Sequence, residues 1–391
     1  MQTNHVRRVF AFFGLLRQQS RKCGEFMTGI ATRRDVAKAA GVSVAAVSRA
    51  MNNSGYVKKD VKERILQVAH ELGYNPNPIA LSLQNQRTRQ LILYQNEIAA
   101  PYNMQFFNGA TRAAYKRGYS IFLDVYCDFS KIKQSLVDGV LFSLDLLADA
   151  YIQAVGANYR LPIVTAVNDV SHTFSRAVHC VIIDNSRIIN MAIDHLIAKG
   201  HRRIGLVIPE KGKYSELRYG LWKARMEEEA RRFDLRVQLD QMVVLAPIFD
   251  TEDPQNRDLD PPLILQPSDD NFVGYSSFNI GKRGAAKYLA SDNPATALLC
   301  FNDDVAYGFM QVLNKSGVRV PEDVSIMGID GIYLREWLDK KLTTVSIDAE
   351  NLGATAVDVL IDILEDRKPK YMKWTTPKLL EGETVRELTR R

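Results

Sequence analysis

The stretch VAKAAGVSVAAVSRAMNN, residues 36–53, is built almost wholly from Ala, Val and Ser, with one charged side chain, Arg49, in its second half. Residues of this kind suit contact at close range. Ala37, Ala40, Val42 and Val47 are small enough for two helices to cross tightly over a short turn at Gly41. Ser43 can cap the second helix, so that its N-terminus points at a nucleic-acid duplex. The pattern predicts a helix-turn-helix over residues 33–51.

Other chemistries find little support. The chain has no G-x-S-x-G, H-E-x-x-H, P-loop or G-x-G-x-x-G, and His172, His179 and His195 lack catalytic partners at any diagnostic spacing. Cys23, Cys127, Cys180 and Cys300 are widely separated, without a C-x-x-C pair or a His at ligand spacing, which predicts reduced thiols, no structural zinc and no cofactor. An enzyme is therefore not expected.

Around the motif, 391 residues of ordinary globular composition allow two or three domains. The formal charge of +6 is unevenly divided: residues 1–90 carry +10 and residues 91–391 carry −4. A basic module thus precedes a mildly acidic body, which points to a polyanion partner for the first. The first 26 residues hold an apolar run, Val9 to Leu16, too short to span a bilayer, and Arg-Gln-Gln-Ser-Arg-Lys stands where an export cleavage site would lie. We read Met27 as the natural start and residues 1–26 as a disordered tail or start-site artefact.

In the module, Thr32 can cap a helix over Arg33–Ala40, Ser43 a second over Val44–Met51, and a third runs from about Asp60 to Leu72 with Val61, Ile65, Val68 and Leu72 on one face. Asn77 and Pro78 open a short helix. From Leu91 the pattern changes to strands alternating with helices in two successive series, which predicts two lobes of doubly wound parallel sheet with a ligand cleft between them. The segment 246–271, rich in Asp and Pro, reads as a surface insertion.

The sequence "RRDVAKAAGVSVAAVSRAMNNS…VKERILQVAHELGYNPNPIALSL" resembles the amino-terminal domain of the lactose/galactose repressor family, and is most similar to the galactose-repressor type at "GVSVAAVSR". The resemblance continues through "DNSRIINMAIDHLIAKGHRRIGLV", "CFNDDVAYGFMQVLNKSGVRVPEDVSIMGIDG" and "LTTVSID". It implies an all-α helix-turn-helix domain followed by a two-lobed, periplasmic-binding-protein-like α/β effector domain. The function implied is that of a dimeric bacterial transcription regulator of the cytoplasm, whose affinity for a palindromic operator is set by a small effector, commonly a sugar. The alternative, a solute-binding protein with the same two-lobed body, has no use for residues 33–83.

The domains implied are 27–74 for the helix-turn-helix, 75–90 for a hinge helix and linker, and 91–391 for the effector body. Its first lobe takes about 91–184 plus 346–370, its second about 185–345 plus 371–391. Val44, Ala45 and Arg49 match the family's base-reading positions, and Arg49 can give guanine O6 and N7 a bidentate pair. Ser43, Ala46, Ser48, Asn52, Tyr56 and Asn77 are expected to meet phosphates or pack. Leu83 matches the leucine that wedges between base steps in the minor groove. For the effector, Arg218 matches the central ligand Arg, Asn302 and Asp303 the cleft pair, and Asp330 the hydroxyl-accepting acid, with Tyr102 and Asn168 from the first lobe. Such groups at strand ends suit a polyol.

The chain departs from the family in several places. Leu81 stands where Arg is frequent, which either weakens a phosphate contact or extends the dimer contact, and Lys58 replaces a usual Ser cap. Residues 123–142 leave hardly any room for a first-lobe helix. The insertion before "GYSSFNIG" displaces the usual stacking aromatic, for which Tyr275 or Phe278 can stand in.

Overall fold

The computed structural model describes residues 31–75, 87–96, 98, 100–156, 160–169, 174–175, 177–234, 238–248 and 276–388. The chain divides into two compact units, Met1–Thr88 and Arg89–Arg391.

The described part of the first unit is three helices: α1 (Arg33–Ala40), α2 (Val44–Asn52) and α3 (Lys59–Glu71). Thr32 opens α1 with a reciprocal capping box, its hydroxyl accepting from the Asp35 N–H while its own N–H donates to the Asp35 carboxylate at 2.8 Å. Gly41, at φ 65°, takes the left-handed turn that ends α1. Ser43 Oγ then accepts the Ala46 N–H at 3.1 Å and starts α2. Lys58 gives α3 no side-chain cap. Val36, Ala37, Ala40, Val47, Ala50, Ile65 and Ala69 are buried together with Tyr74. Ile65 is thus the buried centre of the expected α3 face, and Val61, Val68 and Leu72 pack around it half-buried.

The second unit holds two six-stranded sheets. In the first, β1 (Gln90–Tyr94), β2 (Ser120–Asp124), β3 (Gly139–Phe142), β4 (Ile163–Val167), β5 (Val178–Ile182) and β11 (Met372–Trp374) run in the order β11-β5-β4-β3-β1-β2, all neighbours parallel. In the second, β6 (Ile204–Pro209), β7 (Val243–Ala246), β8 (Ala297–Cys300), β9 (Ser325–Asp330), β10 (Thr343–Ser346) and β12 (Lys378–Leu380) run in the order β12-β10-β9-β8-β6-β7. Only the β10 and β12 pair is antiparallel there. The helices are α4 (Pro101–Lys116), α5 (Asp145–Val155), α6 (Asn185–Ala198), α7 (Lys213–Phe233), α8 (Ser277–Leu289), α9 (Asp303–Lys315) and α10 (Ala349–Leu364).

The chain passes from the first lobe to the second after β5 and returns after β10, where α10 packs on α4. Gly109 and Gly353 make that crossing close: a Cβ on Gly109 would lie 1.7 Å from the Glu350 carbonyl oxygen, and one on Gly353 2.1 Å from that of Phe106. One boundary differs from the expectation. Residues 372–374, assigned to the second lobe from the sequence, pair in parallel with Cys180–Ile182 and extend the first sheet, so the last passage lies between Trp374 and Lys378. As a three-residue edge strand with Met372 and Trp374 exposed, β11 is too short for its alternation to announce it.

Where the sequence left little room for a helix, the chain makes a short 3₁₀ helix, Phe129–Gln134. The ring of Phe129 anchors it edge-on to Tyr94 at 5.0 Å and Tyr151 at 5.5 Å. Residues 1–26, the hinge residues Asn77, Leu81 and Leu83, Tyr275, and the insertion beyond Ile248 lie outside the described residues.

Candidate nucleic-acid interface and ligand cavity

On α2 the inward positions Val47 and Ala50 are buried, and the opposite face carries Val44, Ala45, Arg49 and Asn52, all exposed. Val44 is 42% exposed and Tyr56, in the following loop, 84%. Because Ser43 spends its hydroxyl on the Ala46 N–H, the helix keeps an ordered first turn with short side chains outward. Gly55, at φ 70°, lies beside the stem of Arg49, where a Cβ would meet Arg49 Cδ at an ordinary contact distance of 3.5 Å. Ala46 and Ser48 are half-buried, and Ser48 Oγ accepts from Arg33 Nη1 at 3.4 Å, which ties α2 to α1. The face that remains is a shallow apolar strip with one guanidinium, the form that fits thymine methyls beside a guanine.

In the second unit a cavity of about 210 Å³ lies beyond the carboxyl ends of the strands of both sheets. Tyr102 and Asn168 line it from the first lobe, and Arg218, Phe301, Asn302 and Asp330 from the second. Arg218 is nearly buried; its Nε donates to Asn185 Oδ1 at 3.1 Å and its Nη1 to the Phe301 carbonyl, while the guanidinium stacks 4.6 Å from the Phe301 ring centre. Burial pushes its pKa down, and the Asp330 carboxylate works against that shift. Asp330, only 8% exposed, sits at the end of β9 with φ 120°. Burial pushes its carboxyl well above the usual carboxylate range, and Arg218 holds it back. Among the described residues the buried Tyr102 hydroxyl has no hydrogen-bond partner, and burial raises its pKa. Asn302 caps α9 through the Val305 N–H at 2.9 Å and reaches Ser277 Oγ at 3.4 Å.

One expected ligand residue is elsewhere. Asp303 is completely buried and does not line the cavity; its carboxylate accepts from Thr344 Oγ1 at 2.6 Å and from the Ile332 N–H at 2.9 Å. As the first residue of α9 it turns inward to clasp β10 and the turn after β9, and the next residue, Asp304, faces the cavity instead. Gly328 makes room for it, because a Cβ there would lie 2.1 Å from Asp303 Oδ1. Phe278 is also absent from the cavity wall and packs in the second-lobe core, so Phe301 supplies the aromatic surface.

Burial pushes the Asp303 carboxyl up to about 7. The folded protein therefore keeps this proton at pH values where the unfolded chain, near 3.8, has lost it, so this contribution is full at low pH and lost as pH rises through about 7. The stability advantage of the wild type over Asp303→Asn is expected to be larger at pH 5 than at pH 8, read by calorimetric melting. A gap that is constant or widens with pH would remove this role.

Sequence reasoning missed Asn185, Asp145, Lys213 and Tyr214. Asn185 joins the lobes beside Arg218, its Nδ2 donating to the Asn168 carbonyl at 2.8 Å. Lys213 and Tyr214 were hidden because the sequence pattern starts α7 near Leu217, four residues late. Among the described residues no group of His, Cys, Asp and Glu is placed to hold a metal ion, and no helix is long and apolar enough to cross a membrane.

Residues 32–77 match the family described as bacterial regulatory proteins, lacI family. Residues 88–237 match periplasmic binding proteins and sugar binding domain of LacI family, and 259–385 a periplasmic binding protein-like domain. The HTH-type transcriptional repressor PurR of Pasteurella multocida is 30% identical over 356 residues, covering 86% of this chain and 93% of its own length. That of Haemophilus influenzae (strain PittEE) is 29% identical over 381 residues, covering 92% and 100%. Among solved structures, the Lac repressor bound to ONPG in the repressed state superposes with a TM-score of 0.70 at 21% identity, covering 91% of this chain and all of that one. The Lac repressor dimer bound to operator and the anti-inducer ONPF gives 0.69 at 22%, covering 92% and 100%. With the helix-turn-helix, the two-lobed body and these relatives in agreement, the chain belongs to the lacI family of bacterial transcriptional regulators.

Proposed function

We propose that this chain is a cytoplasmic repressor that binds a palindromic operator as a homodimer, with its affinity set by a small polyhydroxylated effector of the sugar class that is bound and not converted. What supports the effector reading most is the arrangement of Arg218, Asp330 and Tyr102 around one cavity. A guanidinium donor, a buried carboxylate acceptor and a hydroxyl that lacks a partner together match an alcohol group, which donates and accepts at once. Solved relatives of the same fold hold cellobiose and ribose, which supports the sugar class.

On the operator, Arg49 reads guanine while Val44 and Ala45 lie against thymine methyls, and Ser43, Ala46, Ser48, Asn52, Tyr56 and Asn77 position the unit on phosphates or by packing. Residues 75–90 form a hinge whose Leu83 wedges into the minor groove of bent DNA. Effector binding at Arg218, Asn302, Asp330, Tyr102 and Asn168, with Tyr275 from just after the insertion, changes the lobe arrangement and with it the hinge. Asp303 acts from behind the site.

A thermal-shift screen of the full-length protein against sugars and nucleobases tests the effector class. At a hundredfold excess over Kd a ligand adds about 2.7 kcal/mol of stability. At least one sugar is expected to raise the melting temperature; a shift with nucleobases alone, or with nothing in the panel, would overturn the sugar assignment.

A further inference from the structure

The two lobes are fastened to each other by groups of the chain itself. Asp145, the first residue of α5 in the first lobe, is completely buried. Its Oδ2 accepts from Lys213 Nζ at 3.1 Å and its Oδ1 from the Tyr214 hydroxyl at 2.6 Å. Both donors are the opening residues of α7 in the second lobe. From its own lobe Asp145 has the Asn168 N–H at 3.4 Å, so among the described residues its cationic partner comes from across the cleft.

Three features make this contact a bridge rather than an incidental meeting of side chains. A buried carboxylate is costly unless a cation and hydrogen bonds compensate it, so closing the lobes on Asp145 without Lys213 and Tyr214 would be opposed. The carboxylate also sits in the first turn of α5 and against the start of α7, where two helix dipoles favour negative charge. Gly212, at φ 119° and without a side-chain cap to offer, leads from β6 into α7 in a conformation L residues rarely adopt, which brings Lys213 and Tyr214 to face the opposite lobe. A further bond between the lobes, from the Tyr333 N–H to Gln105 Oε1 at 3.2 Å, joins the turn after β9 to α4.

We propose that Asp145, Lys213 and Tyr214 form an interlobe latch that keeps the cleft of the effector domain drawn together without help from an effector. Lys213 and Tyr214 also line the cavity, so the latch is one of its walls, and an effector enters beside a bridge already made. The latch is a property of the closed arrangement alone and holds whatever the effector class.

Hydrogen exchange followed by mass spectrometry on the effector-free, full-length protein tests it, with Asp145→Asn and Tyr214→Phe as variants. The amides of Asp145 and Leu146 in α5 and of Lys213, Tyr214 and Ser215 in α7 have no intrahelical partners, so the closed cleft shields them and opening exposes them. In both variants, exchange over residues 144–148 and 211–216 is expected to accelerate about tenfold, the weight of one charge-assisted hydrogen bond. Amides of β3 and β6 are expected to keep their wild-type rates, and small-angle scattering to show a larger radius of gyration. Tyr214→Phe removes a single hydroxyl, so it tests the latch even if Asp145→Asn folds poorly. Unchanged exchange in both cleft segments of Tyr214→Phe, or acceleration shared equally with β3 and β6, would overturn the latch.

Discussion

Replacing Arg49 by Ala is expected to lower affinity for the cognate operator at least 30-fold while leaving binding to random DNA close to wild type. The size follows from the geometry of the fork: a bidentate pair to guanine gives about 1–3 kcal/mol of discrimination per half-site, and a dimer uses two. Arg49 stands exposed on α2 with its stem over Gly55, so its removal leaves the helical core of Val36, Ala37, Val47 and Ile65 intact. Arg49→Lys separates charge from shape. It keeps the cation and loses the planar fork, so it should also bind random DNA like the wild type and still lose most of the guanine preference. Equal losses of Arg49→Ala on specific and random duplexes, measured by anisotropy titration at one salt concentration, would reduce Arg49 to a phosphate contact.

The second large effect belongs to Arg218. Arg218→Met keeps much of the side-chain volume but removes the donors to Asn185 and the Phe301 carbonyl, and leaves Asp330 without its countercharge. A hydrogen bond to a charged group contributes about 1.5–3 kcal/mol, and the guanidinium offers an effector several donors. We expect effector affinity to fall more than a hundredfold, read by titration calorimetry with whichever sugar shifts the wild type, while operator binding without effector persists. Asp330→Asn serves as the companion, since it retains an acceptor and should lose less. Wild-type effector affinity in Arg218→Met would place the ligand elsewhere.

The parts of the molecule that the sequence made legible are those governed by neighbours in the chain. Thr32, Gly41 and Ser43 mark α1 and α2 because capping acts within three residues, and the structure has the same caps. The strand and helix alternation is equally local, and it places Asn302 and Asp330 at strand ends and Arg218 in the second turn of α7, all beside the cavity. What escaped depends on partners far away in sequence. β11 is a strand only because β5 offers it an edge nearly two hundred residues earlier. Asp303 and Asp304 are adjacent acids on one helix start, and the sequence pattern does not say which one turns toward Thr344 and which toward the ligand. Asp145, Lys213 and Tyr214 fall between the strands and helices that the sequence pattern marks, and only the closing of two lobes brings them together.

The central claim is that one chain couples a cavity in its two-lobed body to sequence-specific DNA binding. The most direct measurement is an anisotropy titration of the full-length protein on a palindromic duplex obtained by in vitro selection and on a random duplex, each with and without the sugar that stabilises the protein. The account predicts preference for the selected duplex and a change of about 5–150-fold in its affinity on adding that sugar, a change absent in Arg218→Met. Equal affinity for both duplexes, or a stabilising sugar that leaves operator affinity unmoved, would contradict it.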